Sequence, residues 1–133
     1  MTREEFLKIL EKNNYSYVIE SDNSIVITVV NTGINLNELE TMPENVVFEN
    51  QGSVHLYSLE SLPEGTIFRN AENVYIKHLK NIHPTVRFYN KEDLWIMNPR
   101  SGWKALHYSE GFNIEDINSK ELLNSMISKG IFI

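Results

Sequence analysis

The apolar positions in the middle of this chain recur every twenty residues rather than at the three-to-four spacing of a helix. Ile34, Val54, Val74 and Leu94 align at that spacing, as do Leu36, Leu56, Ile76 and Ile96, then Leu39, Leu59 and Leu79, then Met42, Leu62 and Ile82. Phenylalanine recurs at 48, 68 and 88, asparagine at 50, 70 and 90, and Pro-Glu at 43/44 and 63/64. The unit reads V-x-L-x-x-L-x-x-L-P-E-G-x-x-F-x-N-x-x-x, in three copies over residues 34 to 93 with a fourth begun at Leu94. A unit this short cannot bury its own apolar face, so neighbouring copies must stack and share one core. Within each copy the Val-x-Leu piece alternates with the two-residue period of a strand, and a second short strand is expected around each phenylalanine. Leu-Pro-Glu-Gly between them predicts a corner, because proline fixes φ and glycine accepts φ > 0. Asn45 replaces Gly65 in copy one, and asparagine is the next best residue for that conformation. Copy three has Pro84-Thr85 there, which predicts a different turn. The aligned asparagines read as a ladder of side chains bonded to the backbone at a bend.

A short solenoid needs caps, and the flanks supply the patterns for them. Residues 2 or 3 to 12 place Phe6, Ile9 and Leu10 on one helical face, with Thr2 and Glu5 at capping-box spacing. Residues 15–19 and 25–30, joined by Ser21-Asp22-Asn23-Ser24, read as a hairpin able to pair with the first coil. Near the other end Asn118 and Glu121 sit at capping spacing, Leu122, Leu123, Met126 and Ile127 form an apolar stripe, and Gly130 can end a helix. The expected fold is therefore mainly β, a short β-solenoid of about three 20-residue coils in one domain. Residues 1–33 form a helix and hairpin cap, 34–98 the repeat and 99–133 a cap with a helix.

The Leu62-Pro63-Glu64-Gly65 corner, with Phe68-Arg69-Asn70 and Val74-Tyr75-Ile76 after it, resembles the short leucine-rich-like repeats of small phage and prophage proteins. The stretches 1–17 and 118–133 look like the caps such proteins carry. The resemblance covers most of the chain and implies a protein of a mobile element. It also implies a role in which the repeat scaffold presents a surface, such as anti-CRISPR-like inhibition of a host defence nuclease or nucleoprotein complex.

Composition narrows the classes. The 133 residues, 41% apolar and 23% charged, suit one soluble domain. With no cysteine, thiol nucleophiles, cysteine-bound metals and disulfides are excluded, and a reducing, cytoplasmic location is the expectation. The longest aliphatic stretch, Ile25 to Val30, falls far below the ~20 residues that span a bilayer, so no membrane partner is expected. The net charge of −6 is uneven. Residues 1–65 carry eleven acidic and three basic side chains, whereas 66–104 carry seven basic and three acidic. Such a dipole steers encounters with charged partners.

Catalytic patterns are missing. His55, His78, His83 and His107 show no ligand spacing, and the chain has no nucleophile elbow, glycine-rich phosphate loop or H-E-x-x-H. Glu40 over Glu60 and Glu44 over Glu64 would stack as carboxylate pairs, best read as a solvated acidic ladder. A non-enzymatic protein without metal or small-molecule cofactor is expected.

The informative surface is the outward side of the repeat strands. If Val54 and Leu56 point in, a column Asn35, His55, Tyr75, Trp95 points out, flanked by Tyr57, Lys77 and Met97. Aromatic columns on an exposed sheet offer contact area at low entropic cost, so these residues are the expected protein-binding set. The alternative is that residues 103–112, which carry Trp103, His107, Tyr108 and Phe112, cover this face. The second strand offers Glu49, Arg69, Tyr89 and Val47, Ile67, Arg87 as outward columns. A competing function uses the basic middle segment for single-stranded RNA, with Arg69, Arg87, Lys91 and Lys104 among Tyr89 and Trp103, where bases stack between cations. A third is a phage structural or accessory role.

Overall fold

A computed structural model describes residues 1–29, 32–77, 79, 81–90, 94–98, 102–106 and 112–113, with the backbone alone for 96–98, 102–106 and 112–113. The chain opens with α1 (Arg3–Lys12) and the hairpin strands β1 (Tyr17–Ile19) and β2 (Ile25–Ile27). The repeat follows as β3 (Ile34–Asn35), β4 (Val46–Phe48), β5 (Val54–His55), β6 (Ser61–Leu62), β7 (Ile67–Phe68), β8 (Val74–Ile76), β9 (Asn81–Ile82), β10 (Arg87–Phe88) and β11 (Leu94–Asn98). Two further strands are β12 (Gly102–Leu106) and β13 (Phe112–Asn113).

These strands wind into a β-solenoid of about three turns. One sheet, of order β1-β2-β4-β7-β10-β13, contains the phenylalanine strands; a second, β12-β11-β8-β5-β3, contains the Val-x-Leu strands; β6 and β9 form a third, two-stranded sheet. Within the repeat the pairing is parallel and offset by one period: Phe48 with Phe68, Phe68 with Phe88, Val54 with Val74, Val74 with Leu94. That register turns the sequence repeat into vertical files. Phe48, Phe68 and Phe88 are fully buried and stack at 5.1 Å between successive centroids, with planes 5° and 11° apart. Valines and leucines of the other strands complete one core, capped by Phe6 and Leu10 of α1.

The corners follow the chemistry of their residues. Asn45 and Gly65 occupy positive φ, 59° and 75°. At Thr85, which replaces them in copy three, φ is not positive. There the Val86 amide closes a turn on the His83 carbonyl (3.0 Å), with Pro84 second in the turn, as a negative-φ turn prefers. The Thr85 hydroxyl meanwhile accepts from the Gly65 amide below it (2.8 Å). The asparagine ladder is present: Asn50, Asn70 and Asn90 are buried, and the Asn70 amide group donates to the carbonyls of Gly52, Glu72 and Asn73 at 3.0 to 3.3 Å.

The N-terminal cap has its expected helix and hairpin. Thr2 Oγ1 accepts from the Glu5 amide, the N-cap bond, and the Thr2 hydroxyl also donates to the Glu5 carboxylate. At the other end Asn14 adopts φ 59°, and the Tyr15 amide reaches back to the Leu10 carbonyl (2.9 Å) to close a Schellman motif. The hairpin does more than cover the coil. β2 pairs in parallel with β4, so the first sheet begins one strand before the sequence repeat does. The corner stretch also yields an additional strand, β6 and β9, which two-residue segments with a single inward leucine or isoleucine do not announce. The expected C-terminal helix and the remainder of 114–133 lie outside the described residues.

Candidate partner-binding face

Alternation along β5 and β8 decides which side chains leave the core. Val54, Leu56, Val74 and Ile76 are fully buried, so His55 and Tyr75 must emerge on the opposite side, and both are half-buried there. Parallel register carries the column onward, pairing Asn35 with His55, His55 with Tyr75 and Tyr75 with Trp95. The His55 and Tyr75 rings stack at 4.8 Å with planes 8° apart, and Tyr75 and Trp95 at 6.1 Å and 19°. The rings therefore lie face to face along the solenoid axis, and both faces of Tyr75 meet other rings.

Side contacts hold the file. The Asn73 amide group, two residues earlier on the same strand face, donates to the Tyr75 hydroxyl (3.2 Å). Tyr57 meets His55 edge-on, 5.7 Å between centroids at 66°, with its hydroxyl 3.4 Å from Nδ1. The Tyr57 amide is fixed in turn by Asn37 Oδ1 (3.1 Å). Burial pushes the His55 pKa below the ordinary histidine value, which favours the neutral imidazole within the stack. Lys77 is half-buried at the flank.

Residues 102–106 and 112–113 extend sheet edges instead of crossing this face. β12 runs antiparallel beside β11, with Trp103 opposite Met97 and Lys104 opposite Ile96, and β13 pairs with β10. His107 and Tyr108 lie outside the described residues.

Of the basic and aromatic residues expected for RNA, Arg69, Arg87 and Tyr89 share one sheet, on or directly after the phenylalanine strands, and the described Trp103 and Lys104 lie in another, in β12; Lys91 is outside the described residues. Arg69 pairs with Glu49 at 3.6 Å and sits 5.8 Å from the Tyr89 ring centroid, so that column is a file of mutual contacts. Arg87 donates to the carbonyls of Pro84 (2.8 Å) and Val86 (3.0 Å). Val47 faces outward by alternation but is only 6% exposed, flanked in register by Val26 and Ile67.

A cavity of about 390 Å³ opens beside His55, Ser53 and Glu72, but the Ser53 hydroxyl donates to Glu72 (3.3 Å) and so makes no nucleophile–base pair with His55. Another, of about 800 Å³, lies between α1 and residues 35–41. Among the described residues no three His, Cys, Asp or Glu side chains are placed to hold a metal ion. No described helix is long and apolar enough to cross a membrane. His78 lies outside the described residues, and His83 is tied to its own corner through Thr85 (2.8 Å). Sequence reasoning missed Asn73 as the anchor of Tyr75; its only signal is that i and i+2 share a strand face. No family model, curated protein or solved structure matches the chain.

Proposed function

We propose that this chain is a non-enzymatic protein-binding module that grips its partner with the outer face of the Val-x-Leu sheet. The observation that carries this reading is the ordered file of His55, Tyr75 and Trp95, half-buried and anchored by Asn73 and Tyr57. Rigid aromatic side chains lose little entropy on binding and supply most of the energy at protein interfaces. Tyr57, Lys77 and Met97 complete the contact set.

Ring orientation favours a protein over single-stranded RNA. A base-stacking platform needs aromatic faces open to the ligand, whereas Tyr75 already has a ring on each side. Among the described residues, Arg69 and Arg87 belong to one sheet and Lys104 to the other. The finer reading, that the partner is a host defence nuclease or nucleoprotein complex in the cytoplasm and the chain an inhibitor carried by a mobile element, rests on the resemblance of the repeat.

The test is quantitative affinity capture from a bacterial host lysate with the wild-type chain and a Tyr75→Ala/Trp95→Ala double variant side by side, and with labelled RNA oligonucleotides in a parallel mobility assay. A protein enriched by the wild type and lost with the variant supports the reading. Identical capture profiles, or a salt-dependent RNA shift without protein capture, overturn it.

A further inference from the structure

The open edge of the phenylalanine sheet carries a different interaction. At β1 the hydrogen-bond pattern is fixed by two outer bonds: the Thr28 amide donates to the Ser16 carbonyl (2.9 Å) and the Glu20 amide to the Ser24 carbonyl (3.0 Å). In an antiparallel pair, closely bonded pairs alternate with unbonded ones. Val18 therefore bonds Val26, its register partner, while the N–H and C=O groups of Tyr17 and Ile19 point away from β2. Among the described residues nothing hydrogen-bonds those four groups. Edge strands in water are commonly protected by a charge, a proline or a bulge; Tyr17-Val18-Ile19 has no charged residue and no proline. Val18 and Ile19 are 47% and 45% exposed, two of the few large apolar side chains so placed among the described residues.

We infer that β1 is a self-association edge, on which a second copy of this chain pairs antiparallel about a two-fold axis at Val18. The strand is self-complementary in that arrangement. Tyr17 of each copy lies opposite Ile19 of the other, so each such pair exchanges both backbone bonds and all four free groups are satisfied. Val18 faces its own counterpart as the unbonded pair, where side chains approach most closely. Tyr17 and Ile19 form two cross-strand pairs of aromatic with β-branched residue, a favourable combination. The antiparallel sense also sets the hairpin carrying Glu20 and Asp22 beside the end of the other copy's α1, which carries Lys12, and opposes Glu20 to Ser16 rather than to a like charge. Three residues per strand bury less than the ~1,000 Å² of a durable complex, so the dimer forms and dissociates with concentration.

Sedimentation of the full chain over a concentration series, with amide hydrogen exchange at each concentration, tests this. The expected result is a mass rising from monomer toward dimer, with exchange slowing at Tyr17 and Ile19 while Val18, already bonded, stays unchanged. Ile19→Pro removes a donor that serves only the partner, so it should keep the monomer's unfolding midpoint and lose association. Val18→Lys should lose association independently by placing like charges face to face. A single monomeric species up to about 1 mM, association that survives both substitutions, or association that leaves Tyr17 and Ile19 exchange unchanged would overturn the inference.

Discussion

The ring of His55 lies flat against that of Tyr75 one coil above, 4.8 Å between centroids and 8° from parallel. The contact is favourable for a neutral imidazole, and burial depresses the His55 pKa. The sign of the pH effect follows. The unfolded chain takes up a proton at His55 near the ordinary value of about 6.5, before the folded one does, so the folded state loses relative stability as pH falls below that value. In denaturant unfolding, the wild type should weaken against His55→Gln between pH 8 and pH 5. A gap between the two midpoints that does not change with pH would remove burial as the cause.

Gly65 stacks on Asn45 so closely that a β-carbon on Gly65 would collide with Asn45 Oδ1, and its φ of 75° disfavours any L side chain. Gly65→Ala should therefore cost at least ~1–2 kcal/mol from the left-handed backbone alone, with more from the collision. Thr85→Ala, at the equivalent corner with no positive φ, should cost only about the ~1 kcal/mol of its lost hydrogen bond to the Gly65 amide. Equal losses in the two variants would contradict the assignment of different turns.

Asn70 satisfies three carbonyls from the core side of a bend. Asn70→Ala strands these acceptors and should destabilise the chain by about 1–3 kcal/mol, while Asn73→Ala should cost less and loosen Tyr75. Chemical denaturation measures the first, and the near-ultraviolet circular dichroism of the aromatic file the second. A thermodynamically silent Asn70→Ala would make the ladder decorative.

Phe68 sits between two stacked rings in the fully buried file. Phe68→Ala should cost ~3–5 kcal/mol, enough to unfold a marginal domain. Tyr89→Ala, on the exposed side of the same sheet, should fall within about 0.5 kcal/mol of wild type. Comparable losses at both positions would argue against coils stacked in register.

The solenoid was legible because the same demand returns every twenty residues: Phe48, Phe68 and Phe88 fill equivalent cavities, so one side chain recurs. The Asn45 and Gly65 corners were legible for the same reason, since few residues accept positive φ. β6 and β9 were hidden because Leu62 and Ile82 follow Leu59 and Leu79 by three residues, a spacing without strand alternation, whereas Val54 and Leu56 are two apart. Val47 shows the limit of alternation, which gives the side a residue faces but not how closely its neighbours shield it. At the candidate face, the order of His55, Tyr75 and Trp95 followed from period and alternation. Ring orientation did not, because it depends on torsions and on anchors such as Asn73 and Tyr57. Yet orientation is what separates a stacked file from a base-binding platform.

The most direct measurement is covalent footprinting of aromatic side chains, free and in complex with the captured partner. Tyr75 and Trp95 should lose reactivity on binding while Tyr89, 38% exposed on the other sheet, keeps its own. Protection of Tyr89 with Tyr75 and Trp95 unchanged would place the partner on the wrong side of the solenoid and contradict the account.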